Sequence, residues 1–307
     1  MKILCVNVRK GIGDQVIFLP YIHAISKKFK HPITLLAKEN SKAKDLFHYD
    51  NYINEVINLE KKMDGIKGIL KLSKEIKKRN FDKIFIFNSS LRYRVVAKLA
   101  KIKSIYQYPL FLKKDNIVHS AKIFTQNIIE EIISSEPIIK IKEKYNNLDK
   151  DLKYICLGIS ASGPTKRWNI KNYIKLAEQI SKKKKCKFYV AGGKNDMDLI
   201  NEFKNSYIGK DSLSFESMSI KETLKYISSC SLYIGNDTGW AHISVALNVK
   251  ALTIFCDSPV AAYGSYSKNM ITVEPEGITK GETTHDTLGK DKIPFDEVYN
   301  KSLQLLD

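Results

Sequence analysis

The chain has 307 residues, 43% hydrophobic and 27% charged, with a formal net charge of +18. This balance suits a soluble globular protein of two domains. No apolar run approaches the roughly 20 residues of a membrane span, and Met1–Val8 is apolar over too few residues before Arg9-Lys10 for a signal peptide.

The charge is unevenly spread. Residues 1–150 carry 30 lysines and arginines against 15 acids, whereas residues 151–307 carry 21 against 18. A lysine-rich coding bias would raise both halves, so the excess of +15 in the first implies an anionic partner: a phosphorylated substrate, an acidic membrane surface or nucleic acid. The five cysteines, Cys5, Cys156, Cys186, Cys230 and Cys256, lie in or beside apolar segments without C-x-x-C spacing. They read as reduced core thiols of a cytoplasmic protein, without a zinc site or disulfide frame.

In chain order, the first half predicts a strand over Ile3–Val8, a mainly helical Asp14–Phe29, and strands over Ile33–Ala37, Tyr52–Leu59 and Lys83–Phe87. A helical pattern over Ile66–Ile76 separates the last two strands. Then come a helix near Tyr93–Ala100, a short strand near Ile105 and a helix over Ala121–Ile133. Segment 134–151, with its proline and mixed charges, breaks the rhythm and reads as a linker. The alternation restarts with strand Tyr154–Ile159, helix Ile170–Lys182, strand Phe188–Ala191, helix Asp196–Asn205 and helical Ile220–Ser228. Strand Leu232–Ile234, helix Ala241–Leu247, strand Ala251–Phe255 and a final helix over Phe295–Leu306 complete it. Strands alternating with helices predict doubly wound parallel sheets. The expected division is an N-terminal domain of residues 1–150, linker included, and a C-terminal domain of 151–307. The last helix, 295–306, is placed as packing back on the first domain. Ligands of such sheets bind beyond the carboxyl ends of the strands.

Three stretches at such ends carry chemistry. Arg9-Lys-Gly11-Ile-Gly13-Asp14 follows the first strand. Its Gly-x-Gly invites a dinucleotide reading, with Glu39 after the second strand as a ribose-binding acid, but Val16 stands where the third glycine belongs. Asp14 is a carboxylate at a helix N-terminus, either functional or a simple cap. Pro20 either kinks that helix or marks where its regular part begins. Gly158-Ile-Ser-Ala-Ser-Gly-Pro-Thr-Lys-Arg-Trp168 is a loop whose hydroxyls at Ser160, Ser162 and Thr165 and cation at Lys166 suit a phosphate or diphosphate. It lacks the P-loop spacing, and Trp168 reads as packing the next helix. Finally, Gly235-Asn-Asp237-Thr238-Gly239-Trp-Ala-His242 is a strand, turn and helix start, a ready anion site with His242 one turn beyond the cap. An ordinary turn with a packed histidine is the plain alternative.

Together these stretches resemble the ADP-heptose:lipopolysaccharide heptosyltransferase family. The resemblance covers most of the chain: Arg9-x-x-x-Ile-Gly-Asp14 with Pro20, Lys166-Arg-Trp168, Ala191-Gly-Gly193, Gly235-Asn-Asp-Thr-Gly-x-x-His242 with Ala246, and Phe295-Asp-Glu-Val298. It implies a GT-B fold of two Rossmann-like doubly wound parallel-sheet domains facing across a cleft, the acceptor in the first and the nucleotide-sugar in the second. It implies an inverting reaction without metal or other cofactor. By motif, Asp14 would be the general base on the acceptor side, in the turn with Gly11 and Gly13. Lys166, Ser162 and the Thr238–Gly239 backbone would hold the donor diphosphate, beside Ser160 and Thr165. Asp196 would bind the ribose and Met218 cover the base, though a core methionine fits as well. Asp237 and His242 belong to the donor turn without separate roles. Cys256 departs from the family's usual glycine.

The favoured reading is therefore heptose transfer from ADP-heptose onto a phosphorylated lipopolysaccharide core, by a cytoplasmic enzyme in peripheral contact with the inner face of an anionic membrane. Another nucleotide-sugar and another surface glycan is the alternative within the class. A nucleotide- or nucleic-acid-binding protein is the alternative outside it, though no RNA- or DNA-reading motif occurs and the lysine runs lack interleaved arginines and aromatics. A dehydrogenase comes third. The segment 66–79 sets Ile66, Ile69, Leu70 and Ile76 among lysines 67, 71, 74, 77 and 78. It suits either a membrane-facing helix or an ordinary helix with a solvated lysine side.

Overall fold

The computed structural model describes residues 1–60, 63, 65–109 and 116–307. It divides into two compact units, Met1–Lys140 and Ile141–Asp307. The change falls within segment 134–151 but earlier than 150/151, because residues just after it are tied to the second unit. The Tyr145 N–H donates to Ser229 Oγ at 3.2 Å, and the Tyr145 ring lies 4.8 Å from that of Tyr226.

In the first unit, strands β1 (Ile3–Asn7), β2 (Ile33–Lys38), β3 (Ile53–Leu59), β4 (Lys83–Ile86) and β5 (Ser104–Gln107) form one sheet. It is parallel throughout, in the order β3-β2-β1-β4-β5. The helices are α1 (Ile12–Phe29), α2 (Ala43–Leu46), α3 (Gly65–Lys78), α4 (Leu91–Leu99) and α5 (Ile117–Ile129). Alternation along the strands feeds both faces. Leu4, Val6, Ile84 and Ile86 join Leu72 and Ile76 of α3 and Tyr93 and Val96 of α4 in one core. The intervening Phe85 and Phe87 meet Phe29 and Phe18 of α1, and Phe87 also meets Phe124 of α5.

In the second unit, β6 (Lys153–Gly158), β7 (Cys186–Ala191), β8 (Leu213–Ser214), β9 (Leu232–Asn236), β10 (Ala251–Ile254) and β11 (Met270–Val273) are also parallel. Their order is β11-β10-β9-β6-β7-β8. The helices are α6 (Ile170–Ser181), α7 (Met197–Asn205), α8 (Ile220–Ile227), α9 (Gly239–Ala246), α10 (Val260–Tyr263) and α11 (Phe295–Leu306).

Several expectations need correction. Helix α11 packs on its own unit: Val298 and Leu306 are part of that unit's core, and Phe295 stacks on Trp168 at 6.1 Å. Helix α5 runs four residues earlier than the predicted 121–133. Asn116 Oδ1 caps it by accepting from the Val118 and His119 N–H groups, and Glu130, at φ 57°, ends it in the left-handed region. Helix α1 begins at Ile12 and continues through the buried Pro20, so the proline does not mark its start. Elements α2, α10 and β8 were not predicted, since four residues or two are too few to show a period. The edge strand β11 was also not predicted. Trp168 is buried against Tyr173 and Phe295, as expected. All five cysteines are free thiols. Among the described residues no helix is long and apolar enough to cross a membrane.

The carboxyl edge of the second sheet is built on a glycine pair. Gly158 and Gly235 are partners across β6 and β9, and the Tyr233 hydroxyl fills the space beside them. A Cβ on Gly158 would lie 1.8 Å from Tyr233 Oη, and one on Gly235 would lie 2.6 Å from the Gly158 backbone. Gly158→Ala should therefore lower unfolding free energy by about 1–3 kcal/mol, the usual range for forcing volume into a packed site. Urea denaturation of wild type and variant checks this; an unchanged midpoint would show that Tyr233 moves aside without cost.

Candidate active site

Four loops leave neighbouring strands at the carboxyl edge of the second sheet: 159–169 after β6, 192–196 after β7, 237–238 after β9 and 255–259 after β10. Side chains brace them to one another. The buried carboxamide of Asn236 donates from Nδ2 to the carbonyls of Ile159 (3.2 Å) and Ser160 (3.1 Å), and its Oδ1 accepts from the Trp168 N–H at 2.9 Å. One side chain at the end of β9 thus holds both ends of the hydroxyl-rich loop. On the β7 side, Arg167 reaches Asp196 Oδ1 at 3.3 Å, while Asp196 Oδ2 accepts from the Gly193 N–H at 2.9 Å. On the β10 side, the Ser258 hydroxyl donates to Asp237 Oδ2 at 2.7 Å.

Asp257 joins the same brace. Burial works against its charge, yet its pKa is lowered. The Leu288 N–H donates to it at 3.0 Å, the Thr165 hydroxyl bonds it, and the Lys166 ammonium attracts it. Lys166 is half-buried and stands at the end of its loop beside this carboxylate. A cation so placed has a fixed position before any ligand arrives.

Helix α9 begins at Gly239 with Thr238 as its cap. The Thr238 carbonyl accepts from the Ala241 N–H at 3.1 Å and the His242 N–H at 3.5 Å, so the Gly239 and Trp240 N–H groups are the ones that precede the helix's own hydrogen-bond pattern. His242 is buried one turn in. Its Nε2 lies 3.3 Å from Asp237 Oδ1, and its Nδ1 lies 2.7 Å from the Tyr266 hydroxyl. Both ring nitrogens therefore face protein groups, Asp237 on one side and Tyr266 on the other.

In the first unit, Asp14 sits in the first turn of α1. Its Oδ2 accepts from the Gly11 N–H at 3.1 Å, and its carbonyl accepts from Asn7 Nδ2 at 3.3 Å. A Cβ on Gly11 would lie 2.9 Å from Asp14 Oδ2, so the glycine lets the carboxylate fold over the turn. Gly13 is buried one position before it. Asp14 therefore caps the helix, with its carboxylate half-buried at the turn. A cavity of about 490 Å³ in this unit, lined by Lys2, His31, Glu55 and Arg79 among others, opens at the amino ends of the strands, away from this turn.

The structure brings Ser160, Thr165, Lys166, Asp196, Asp237, Thr238, Gly239 and His242 to one edge of the second unit. Ser162 is exposed on the same loop, and Met218 is half-buried beyond β8, its N–H donating to the Phe215 carbonyl at 3.0 Å. Asp14, Gly11 and Gly13 belong to the first unit. Sequence reading missed Asn236, Arg167, Asp257, Ser258 and Tyr266. Asn236 was legible as part of the Gly235-Asn-Asp-Thr-Gly turn without a role of its own, and Asp257-Ser258 only as neighbours of the unusual Cys256. Among the described residues no three His, Cys, Asp or Glu side chains cluster as a metal ion would require.

A sequence model of the family described as glycosyltransferase family 9 (heptosyltransferase) matches residues 125–290, more than half of the chain. Lipooligosaccharide heptosyltransferase 2 of Campylobacter jejuni is 27% identical over 265 residues, covering 83% of this chain and 81% of that protein. Among solved structures, ADP-heptose LPS heptosyltransferase II of E. coli has a TM-score of 0.78 at 19% identity, covering all of this chain and 98% of the other. The iron-containing dodecameric glycosyltransferase TibC of enterotoxigenic E. coli is more distant, with a TM-score of 0.59 at 12% identity over 99% of this chain and 77% of its own.

The Asp257 brace predicts an acid-sensitive edge. Its folded pKa lies below the ordinary value, so the stability it contributes is complete above that value and is lost as pH falls through the folded pKa. Below about pH 4, the ordinary aspartate range, wild type should lose stability more steeply than Asp257→Asn. Denaturant unfolding across acidic pH checks this; equal acid slopes would remove Asp257 from the brace.

Proposed function

The chain belongs to glycosyltransferase family 9, the heptosyltransferases, and from that membership we propose that it moves heptose from ADP-heptose onto a lipopolysaccharide or lipooligosaccharide core. It is a glycosyltransferase of GT-B architecture, two parallel-sheet α/β units. The relatives whose names carry heptose and lipooligosaccharide support the substrates. The observation that carries the reading is the braced edge of the second unit, where Lys166 and the first turn of α9 supply fixed positive charge.

In this reading the second unit holds the donor. Lys166, the Ser162 hydroxyl and the Thr238 and Gly239 N–H groups take the diphosphate, with Ser160 beside them. Thr165 acts through Asp257, which it bonds. Asp196, already set by Gly193 and Arg167, accepts from the ribose hydroxyls, and Met218 covers the base. Asp237 faces the sugar, held by His242 and Ser258. The first unit holds the acceptor at the Gly11–Gly13–Asp14 turn. Asp14 takes the proton of the acceptor hydroxyl as its oxygen bonds to the anomeric carbon. The bond from that carbon to the diphosphate breaks on the opposite face, so the centre inverts and ADP leaves with the electron pair. Charge then builds on the diphosphate where Lys166 and the helix end already lie, so the reaction proceeds without a metal ion. The work is done in the cytoplasm at the inner face of an anionic membrane, where the phosphorylated glycolipid acceptor is anchored, and involves no nucleic acid.

Damage to the two sides should differ. Asp14→Asn keeps size and can still accept from Gly11, so donor binding should persist while kcat falls by roughly 10²–10⁴. Lys166→Ala should weaken donor binding and slow the chemistry, a loss of about 2–4 kcal/mol in kcat/KM. Donor calorimetry beside steady-state transfer separates them; a folded Asp14→Asn protein with near wild-type turnover would leave Asp14 only a cap. Transfer should also survive thorough chelation, and loss restored by magnesium or manganese would overturn the metal-free step.

A further inference from the structure

The outer surface of the α3–α4 pair departs from an ordinary solvated face. Along α4, Leu91, Val95 and Leu99 recur every four residues on the side opposite the buried Tyr93, Val96 and Ala97. Ile66 and Leu70 on α3 are likewise outward, and these five side chains are between 43% and 81% exposed. Single exposed apolar residues need no explanation, but five on two helices packed together form a patch. The Arg92 guanidinium, in the first turn of α4, donates to the Met63 carbonyl just ahead of α3 and ties the two helices together there.

The patch is ringed by cations. Helix α3 carries Lys67, Lys71, Lys74, Lys77 and Lys78 against the single acid Glu75, and α4 exposes Arg94 and Lys98 and has no acid. Its place in the fold is also informative. Both helices follow parallel strands, so their first two turns, with Ile66, Leu70, Leu91 and Val95, lie toward the carboxyl end of the first sheet. The Gly11–Asp14 turn lies at that same end.

We propose that the outer face of α3 and α4 is a membrane-docking surface, with Leu91, Val95, Leu99, Ile66 and Leu70 entering the interfacial layer of an anionic bilayer and the surrounding lysines and arginines facing its headgroups. Apolar insertion and charge attraction combine in such helices, and the second falls off within a Debye length. Charge complementarity selects this occupant: the half of the chain that carries the patch holds nearly all of the net positive charge. The link to catalysis rests on the reading that the acceptor is lipid-anchored. Docking by this face would bring the end of the sheet that bears Asp14 to the depth at which the acceptor's sugars emerge.

The test is co-sedimentation of the full chain with phosphatidylcholine vesicles, with and without phosphatidylglycerol, across a salt series. Wild type should bind only the anionic vesicles and leave them as salt rises. Leu91→Ser/Val95→Ser/Leu99→Ser and Lys67→Gln/Lys71→Gln/Lys74→Gln should each weaken partitioning by about tenfold or more. Both should keep the wild-type melting temperature and wild-type transfer to a soluble, deacylated acceptor. Absent binding by wild type, equal binding to neutral vesicles, or unaltered binding by both variants would overturn the proposal. So would a wild-type dimer that the serine variant splits without vesicles, since a second copy would then cover the patch. Patch-dependent vesicle binding by a protein that transfers no sugar would uphold the surface and sink the acceptor assignment instead.

Discussion

The carboxamide of Asn236 is the interaction on which the carboxyl edge of the second sheet depends. It is fully buried at the end of β9 and satisfies two carbonyls and one N–H of a loop that begins and ends about 70 residues earlier in the chain. Burying a loop end requires partners for its backbone, and each unpaired group would cost about 1–3 kcal/mol. Leucine of similar volume would leave three such groups unpaired at once. The loop between those anchors carries Ser160, Ser162, Thr165 and Lys166, so the positions of all four follow from this one side chain. The glycines on either side of it serve the same end: with no Cβ on Gly158 or Gly235, the Tyr233 hydroxyl can sit between the strands and donate to the Asn236 carbonyl at 3.2 Å.

A second device recurs in both units. Gly11-Ile-Gly-Asp14 and Gly193-Lys-Asn-Asp196 each return a carboxylate to the N–H of a glycine three residues earlier, at the first turn after a strand. The shared local geometry leads to different surroundings. Asp196 is buried and ion-paired with Arg167, so it is committed to holding its loop and can accept hydrogen bonds at fixed positions. Asp14 is half-buried at the N-terminus of an 18-residue helix. The same turn thus serves as the cap of a long helix in one unit and as a loop clamp in the other.

Much of this was legible in the sequence because the determinants are local. Strand–turn–helix order, apolar runs and the Asp-Thr-Gly turn are visible within a few residues, and they place β1, β6, β9 and the candidate site residues correctly at strand ends. What was not legible depends on partners distant in sequence. His242 is a histidine in a helix until Tyr266 and Asp237 are placed on its two nitrogens. Asp257 is one carboxylate after a strand until Thr165, Lys166 and Leu288 converge on it. The start of α5 was missed for a different reason. The sequence reading did not consider Asn116, a good cap, and the helix begins where that cap sits.

Segment 66–79 has both a core face and an outward apolar pair, and the reason is geometric. Leu72 and Ile76 bury as the ordinary core face of α3, with Ile69 half-buried beside them, whereas Ile66 and Leu70 lie a third of a turn further round and stay outside. A helix with only those two outward residues would be unremarkable. The apolar stripe on α4 changes the argument, since its Leu91, Val95 and Leu99 repeat has no core of its own to serve. Its buried side is already supplied by Tyr93, Val96 and Ala97. Each outward leucine or valine opposes solubility unless something covers it, and the cations around the stripe select against covering by another basic face. A helix pair with a complete inner core, an apolar outer stripe and a basic margin has the three parts that interfacial binding needs, and a purely structural helix needs only the first.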